Sequence, residues 1–369
     1  MQPKTSTTAR NSNVELLRIL CMLMVVVLHF NNNGANTGII NMPSVLTPSL
    51  SWGFLVESLC IVAVNCFVLI SGYFGISLRL RSLLKFYLQC FFIGFISYLL
   101  YLWLSPATLS WTILFERLLA FTHNGWWFVV SYLGLMLLSP VLNAAVENLS
   151  KKQMLLATAL CGVIVLYLGW YQQVEPTHNG CSLLNFIFVY LVGRCVGKHL
   201  PLGTIQRHRW SWLVGYLLSA MSIFGLVMLR YHCHLVVRYV YDYNHPLVLM
   251  AALMLFLFFL SFSFNSKGIN WLASSVFAAY LFQESTFLGH QYLYPQMESF
   301  FHHYVPQTWN IALLFIVSIV FVAICIVADK LIHLLSMPIL TFYDHVVEKL
   351  TLKTNKNNIY ESRRNYGLH

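Results

Sequence analysis

Apolar runs of about twenty residues, each closed by turn-forming residues, constrain this chain more than any other feature. About 20 helical residues cross the hydrocarbon core of a bilayer. Backbone polar groups inside that core must bond internally, which leaves only helices or closed barrels. The runs are too long for barrel strands and show no period-two alternation. Only 9% of the 369 residues are charged, against about 25% in soluble domains. The expected fold is therefore all-α, a polytopic transmembrane helix bundle of about ten spans. They are placed near residues 14–31, 54–73, 83–104, 126–146, 153–171, 182–197, 211–229, 246–264, 270–290 and 308–334. Turn chemistry separates them, as at Asn31-Asn32-Asn33-Gly34, Ser105-Pro106, His178-Asn179-Gly180, Asn244-His245-Pro246 and Val305-Pro306.

The formal net charge is +10. In a soluble protein that would bring nucleic acid into question as a partner. Here it follows the positive-inside rule. With the N-terminus in the cytoplasm, 18 of the 22 Lys and Arg fall in segments on that side, termini included, Arg117, Arg230 and Arg238 fall on the other, and Arg18 lies within a span. The expectation is N-in and C-in. Residues 1–13 form a cytoplasmic N-terminal segment, 14–335 the ten-helix domain, and 336–369 a cytoplasmic tail that is disordered from Asn357. The polar start, Met1 to Asn13, argues against a cleavable signal. Nine cysteines, mostly within expected spans and without a CxxC pair, read as packing residues. His232/His234 and His302/His303 have neither carboxylate partners nor an HExxH pattern, so no metal is expected. No GxGxxG, P-loop or GxSxG motif occurs, which argues against a nucleotide-fold enzyme.

Ionisable residues inside spans carry the functional signal, because each costs about 2.5–3.5 kcal/mol at mid-helix. The first span, VELLRILCMLMVVVLHF, holds Glu15, Arg18 and His29. Arg18 and His29 are eleven residues apart, close to three turns, so they share a face about 16 Å apart along the axis. Such a pair suits a ligand stretched along the helix. By depth, His29, Glu57, Glu284 and Trp126 to Phe128 form an outer layer, and Arg18, Arg81, Lys85 and Asp329 an inner one. Each has a blander reading. His29 and Glu57 suit an interface, Arg18 can snorkel to headgroups beside Glu15, and Arg81 and Lys85 can be orientation signals. Glu284, well inside a span, is harder to explain away, and the shared face of Arg18 and His29 outweighs either residue alone.

These residues resemble the integral-membrane acyltransferases of family three, which acetylate bacterial surface polysaccharides and lipids. The opening Arg-to-His spacing is Arg18 to His29. The family's Ser-Gly segment resembles Cys66-Phe67-Val68-Leu69-Ile70-Ser71-Gly72-Tyr73. Its basic R-x-x-x-R resembles Arg81-Ser82-Leu83-Leu84-Lys85, with Lys for the second Arg. Its W-[FY]-L resembles Trp127-Phe128-Val129, followed by Leu138-Ser139-Pro140. Its late Y-L-I-H resembles Tyr280-Leu281-Phe282-Gln283, with Gln in place of His and Glu284 next.

The resemblance implies a multi-pass protein of the bacterial inner membrane. It implies acetyl-CoA or another acyl-CoA as a donor substrate from the cytoplasm, no bound cofactor, and a glycan or lipid-linked sugar hydroxyl as acceptor. His29 and Arg18 carry over as the essential pair. The expected catalytic set is His29, Glu57 and Glu284, with His29 as general base and either carboxylate orienting it. Arg18, Arg81 and Lys85 would hold the donor phosphates, and Ser71, Trp127 and Tyr280 would line the substrate path. Direct transfer and an acyl-histidine intermediate both remain open. The rival class is a glycan-lipid flippase or secondary transporter, which would place its site at the midplane between repeats. A sensory or structural membrane protein has no use for Arg18 and His29.

Overall fold

In the computed structural model of the protein, residues 11–35, 37, 46–121, 125–174, 177–233 and 239–365 are described. Helix α1 (Ser12–Asn33) is the axis of the fold. Of its apolar stretch, 67% is buried within the protein. A second deep element is a helix pair, α2 (Pro48–Cys60) and α3 (Ala63–Phe74), whose joint apolar stretch is 83% buried. The remaining membrane-length helices are only 28–33% buried, as a lipid-facing ring should be. They are α4 (Leu80–Leu104), α6 (Trp127–Asn148), α7 (Lys151–Val163, continued π-helically to Tyr171), α10 (Arg209–Cys233) and the apolar part of α15 (Asn310–Asn365). A short α5 (Trp111–Glu116) lies between α4 and α6.

Seven helices among the described residues are long and apolar enough to cross a membrane, against the ten spans expected. Two of the other expected spans coincide with the shorter helices α8 (Leu183–His199) and α11 (Pro246–Leu260), with α9 (Leu202–Arg207) a single turn between α8 and α10. The expected continuous helix over 270–290 is replaced by a broken path. It runs through α12 (Lys267–Ala273), α13 (Phe277–Gln283), a π-helical stretch from Thr286 to Leu293, and α14 (Tyr294–Tyr304). The break has a local cause. Ser285 is extended at φ −68°, ψ 134°, and its hydroxyl accepts from the Gly289 amide, capping the next helix. Gly289 packs its Cα against the Gln283 carbonyl, where a Cβ would stand 1.8 Å from the oxygen. Helix α15 also runs to Asn365, through the stretch from Asn357 expected to be disordered. Asn31, Asn32 and Asn33 form the last turn of α1 rather than a loop, with the chain leaving the helix at Gly34.

Small residues set the closest helix approach, as is usual where lipid removes the hydrophobic drive between helices. Gly72 of α3 lies against Tyr190 of α8, where a Cβ would stand 2.3 Å from the carbonyl oxygen. Gly193 of α8 lies against Leu69, where it would stand 2.5 Å away. At the end of α3, Gly75 takes φ 75°, a left-handed conformation that favours glycine. The Ile76 that follows is held by Tyr190, whose hydroxyl accepts from its amide at 3.1 Å, and by Asn143, whose amide donates to its carbonyl at 2.8 Å. His245 precedes α11, and its Nδ1 accepts from the Leu247 amide at 3.2 Å. The imidazole packs edge-on to Trp170, and burial pushes its pKa down to about 4.

Candidate active site

The stripe Arg18, Met22, Val25 and His29 repeats at i, i+4, i+7 and i+11, so one face of α1 carries all four. Met22, Val25 and His29 line a narrow apolar cavity, with about 340 Å³ of empty space including its open mouth. Val64 and Phe67 of α3 close it on one side, Trp127 and Phe128 of α6 on another, and Phe277 and Tyr280 of α13 on a third. The Tyr280 hydroxyl accepts from the Phe128 amide at 3.3 Å, satisfying one of the unpaired N–H groups at the start of α6. Trp127 and Tyr280, expected on the substrate path, therefore meet at the His29 cavity. Ser71 lies elsewhere, its hydroxyl donating to the Phe67 carbonyl at 2.9 Å and facing the Tyr132 hydroxyl at 3.1 Å.

Both nitrogens of the His29 ring have polar neighbours. Nδ1 is 2.7 Å from the Val25 carbonyl, an acceptor only, which assigns the proton of the neutral ring to Nδ1. Nε2 then carries the lone pair, and it faces Oε1 of Glu284 at 3.5 Å. Gln283 sits on the other flank, its amide nitrogen 3.3 Å from Nδ1. The Tyr294 hydroxyl donates to Glu284 Oε1 at 2.5 Å. Glu284 is brought there by the helix break, because it is the residue at which α13 ends.

The second expected carboxylate does not meet the imidazole. Glu57 is buried and accepts from the Asn32 side chain at 3.0 Å, three residues beyond His29. That amide also donates to the Leu28 carbonyl at 3.0 Å, so Glu57 braces the end of α1 and not the ring itself.

The expected inner cations are divided among three places. Arg18 turns to Glu15, 3.5 Å away, with its side chain about one-third exposed. Arg81 makes a bidentate pair with Asp344 of α15, at 2.8 Å from Nε and 3.0 Å from Nη2. Lys85 lines a polar cleft with Gln89, Ser274, Asp329, Lys330 and His333. In that cleft Lys330 donates to the Trp271 carbonyl and the Ser274 hydroxyl, and Gln89 donates to Asp329. Lys330 in the cleft, Tyr294 on the Glu284 carboxylate and Asn32 on Glu57 are neighbours of these residues that sequence reasoning did not single out. The polar run Gln283-Glu284-Ser285, with Gly289 four residues on, was the available signal for the break.

A protein that is helical throughout its described residues, with membrane-length helices and a buried central helix that offers a histidine to an apolar cavity, is by class an integral membrane protein with a candidate catalytic centre. Residues 11–330 match the family model of the acyltransferase domain known as acyltransferase 3, and the chain belongs to that family. No curated protein and no solved structure matches the chain.

Proposed function

We propose that this membrane acyltransferase moves an acetyl or similar acyl group from cytoplasmic acyl-CoA to a hydroxyl of a cell-surface polysaccharide or lipid-linked glycan, in the bacterial inner membrane, with both termini cytoplasmic. The observation that carries the reading is the His29 ring at the wall of the apolar cavity, with Nδ1 against the Val25 carbonyl and Nε2 3.5 Å from the Glu284 carboxylate.

In this reading the Val25 carbonyl does the orienting, fixing the tautomer so that Nε2 is the base. A hydroxyl entering beside Nε2 gives up its proton as its oxygen attacks the thioester carbonyl. The imidazolium that forms faces the Glu284 carboxylate, which stabilises it without taking the proton. The tetrahedral centre then collapses, the C–S bond breaks, and the imidazolium returns a proton to the departing thiolate. Gln283 cannot titrate, so the histidine of the family's late motif has no acid–base counterpart at that position here. The aromatic walls exclude water, which would otherwise compete for the acyl group.

The donor runs along the α1 stripe. Its thioester reaches His29, its pantetheine arm lies over Val25 and Met22, and its phosphates lie toward Arg18 and the cleft of Lys85 and Lys330. Arg81 joins only after leaving Asp344. A midplane transporter site between repeats is less well supported, because the buried polar residues of α1 lie at its two ends, Ser12, Asn13 and Glu15 at one and Asn31 and Asn32 at the other, and not at its middle.

The test is acetyl-CoA binding by calorimetry beside acetyl transfer to a glycan acceptor, in detergent. His29→Ala should retain donor binding and lose transfer by about 10²–10⁴-fold. His29→Gln should be no better, since an amide cannot take the proton. Full transfer by His29→Ala would end the proposal. Arg18→Ala should weaken donor binding, and Arg18→Lys should rescue it only in part because the planar fork is lost.

A further inference from the structure

Glu284 has two carboxylate oxygens, and His29 meets only one of them. The other, Oε2, lies 3.5 Å from Nε2 of His290. His290 belongs to the π-helical stretch beyond the break, and its side chain is 50% exposed where that of Glu284 is 10%. Its ring packs edge-on to Tyr294 at 5.1 Å. Tyr294 is the same residue whose hydroxyl donates to Oε1. The carboxylate is thus gripped by two neighbours that also grip each other.

That grip matters because of where Glu284 stands. It caps the end of α13, its amide donating to the Tyr280 carbonyl at 3.0 Å, and its side chain beyond that anchor turns about its own bonds. A carboxylate that turns by a fraction of its range presents no oxygen to His29. A buried carboxylate oxygen without a donor is also costly. A neutral imidazole with its proton on Nε2 donates to Oε2 as an imidazolium does, so the hold does not require His290 to be charged. The 3.5 Å separations are at the long end of hydrogen bonding, and such contacts tighten as charge develops on the bound complex.

We infer that His290 is a positioning residue for acyl transfer, holding Oε2 so that Oε1 stays turned toward the catalytic imidazole. The inference rests on the acyl-transfer reading, with His29 as base. It assigns a role to a side chain that touches neither the cavity nor His29. It also places the hold on the half-exposed flank of the site, away from the donor path along α1.

Two variants of the full chain in detergent test it. His290→Phe keeps the ring volume and removes the donor. His290→Gln keeps a donor of similar reach. With acetyl-CoA as the donor probe, His290→Phe should lower kcat by about ten-fold, the value of one hydrogen bond to a charged group, while KM for acetyl-CoA stays unchanged. His290→Gln should recover most of the loss. A structural role alone would lower both variants together or change the melting temperature instead. A second readout does not depend on turnover: the side-chain ¹⁵N resonance of His29 Nε2, assigned by its loss in His29→Gln. It should move in His290→Phe toward its position in Glu284→Gln, and less in His290→Gln. An unmoved Nε2 resonance in His290→Phe overturns the inference, as does kcat equal to wild type in that variant. If the wild type turns over no acetyl-CoA while the resonance moves as expected, the hold stands and the acyl-CoA reading is what fails.

Discussion

Replacing Glu284 with Gln removes one negative charge and leaves the side chain's volume and the Tyr294 hydrogen bond in place. The loss can be sized from the geometry. Unit charges 3.5 Å apart attract by about 5 kcal/mol at an effective dielectric near 20. Tyr294 and His290 already draw on the same carboxylate, and the His29 side chain is 22% exposed to its surroundings. Roughly half of the attraction is therefore left to favour the imidazolium, about 2–3 kcal/mol, which is about 10²-fold in rate. Because the charge on His29 appears only as the hydroxyl is deprotonated, the loss should fall on kcat and leave donor affinity alone. The assay is steady-state acetyl transfer at saturating acetyl-CoA, beside calorimetric binding of acetyl-CoA, on protein whose melting temperature matches wild type. Transfer by Glu284→Gln within a few-fold of wild type would refute the electrostatic argument, and the carboxylate would then be a packing residue at a helix end.

The pKa of His245 is about 4 in the folded chain and about 6.5 when exposed, so the unfolded state takes up the proton first as pH falls. Its stabilising contribution is whole above about pH 6.5 and drains away between pH 6.5 and 4, by about 3 kcal/mol in all. Melting at pH 7 and pH 5 should show the loss, and His245→Asn, which keeps the cap on α11, should flatten it; an equal pH slope in that variant would be the contrary result. Gly193→Ala drives a Cβ to 2.5 Å from the Leu69 carbonyl, so α3 and α8 must part, at a cost of about 1–3 kcal/mol. Gly225→Ala, with nothing within 4 Å, should be neutral or slightly stabilising, and equal melting of the two variants would contradict the packing argument. Asp344→Asn frees Arg81 and should lower the donor KM a few-fold, while Arg81→Ala raises it; an unmoved KM in both would leave Arg81 as an orientation signal only.

The helical architecture and the face shared by Arg18 and His29 were legible because both depend on short-range periodicity, apolar length and the 3.6-residue turn. The partner of His29 was legible only as a name. On a continuous helix Glu284 and His290, six residues apart, would point about 120° away from each other. The break at Ser285 brings His290 round to the Glu284 carboxylate, and a Ser with a Gly four residues later is weak evidence for a break in one sequence. Asn31 to Asn33 misled for a related reason. Their composition suits a turn, but Asn31 and Asn32 bond to Gly53 and Glu57 of α2, and Asn32 and Asn33 donate to the carbonyls of Leu28 and His29 one turn back, so the last turn of α1 stays helical. Arg81 and Asp344, 263 residues apart, could not be paired by any local rule, which is why Arg81 read as a free cation.

The glycine seam between α3 and α8 divides the cavity wall into a part that is fixed and a part that is able to move. Backbone lies directly on backbone at Gly72 and Gly193, so neither helix has the slack to slide or tilt past the other. The wall formed by Val64 and Phe67 behaves as one plate with α8. The opposite wall, Phe277 and Tyr280, hangs on a short helix with a chain break at each end. With fewer backbone anchors of its own than the plate, the broken segment is the wall on which any change of cavity width would fall. Gln283 and Glu284 stand at the end of that same segment, so a shift of this wall would carry with it the carboxylate that faces His29.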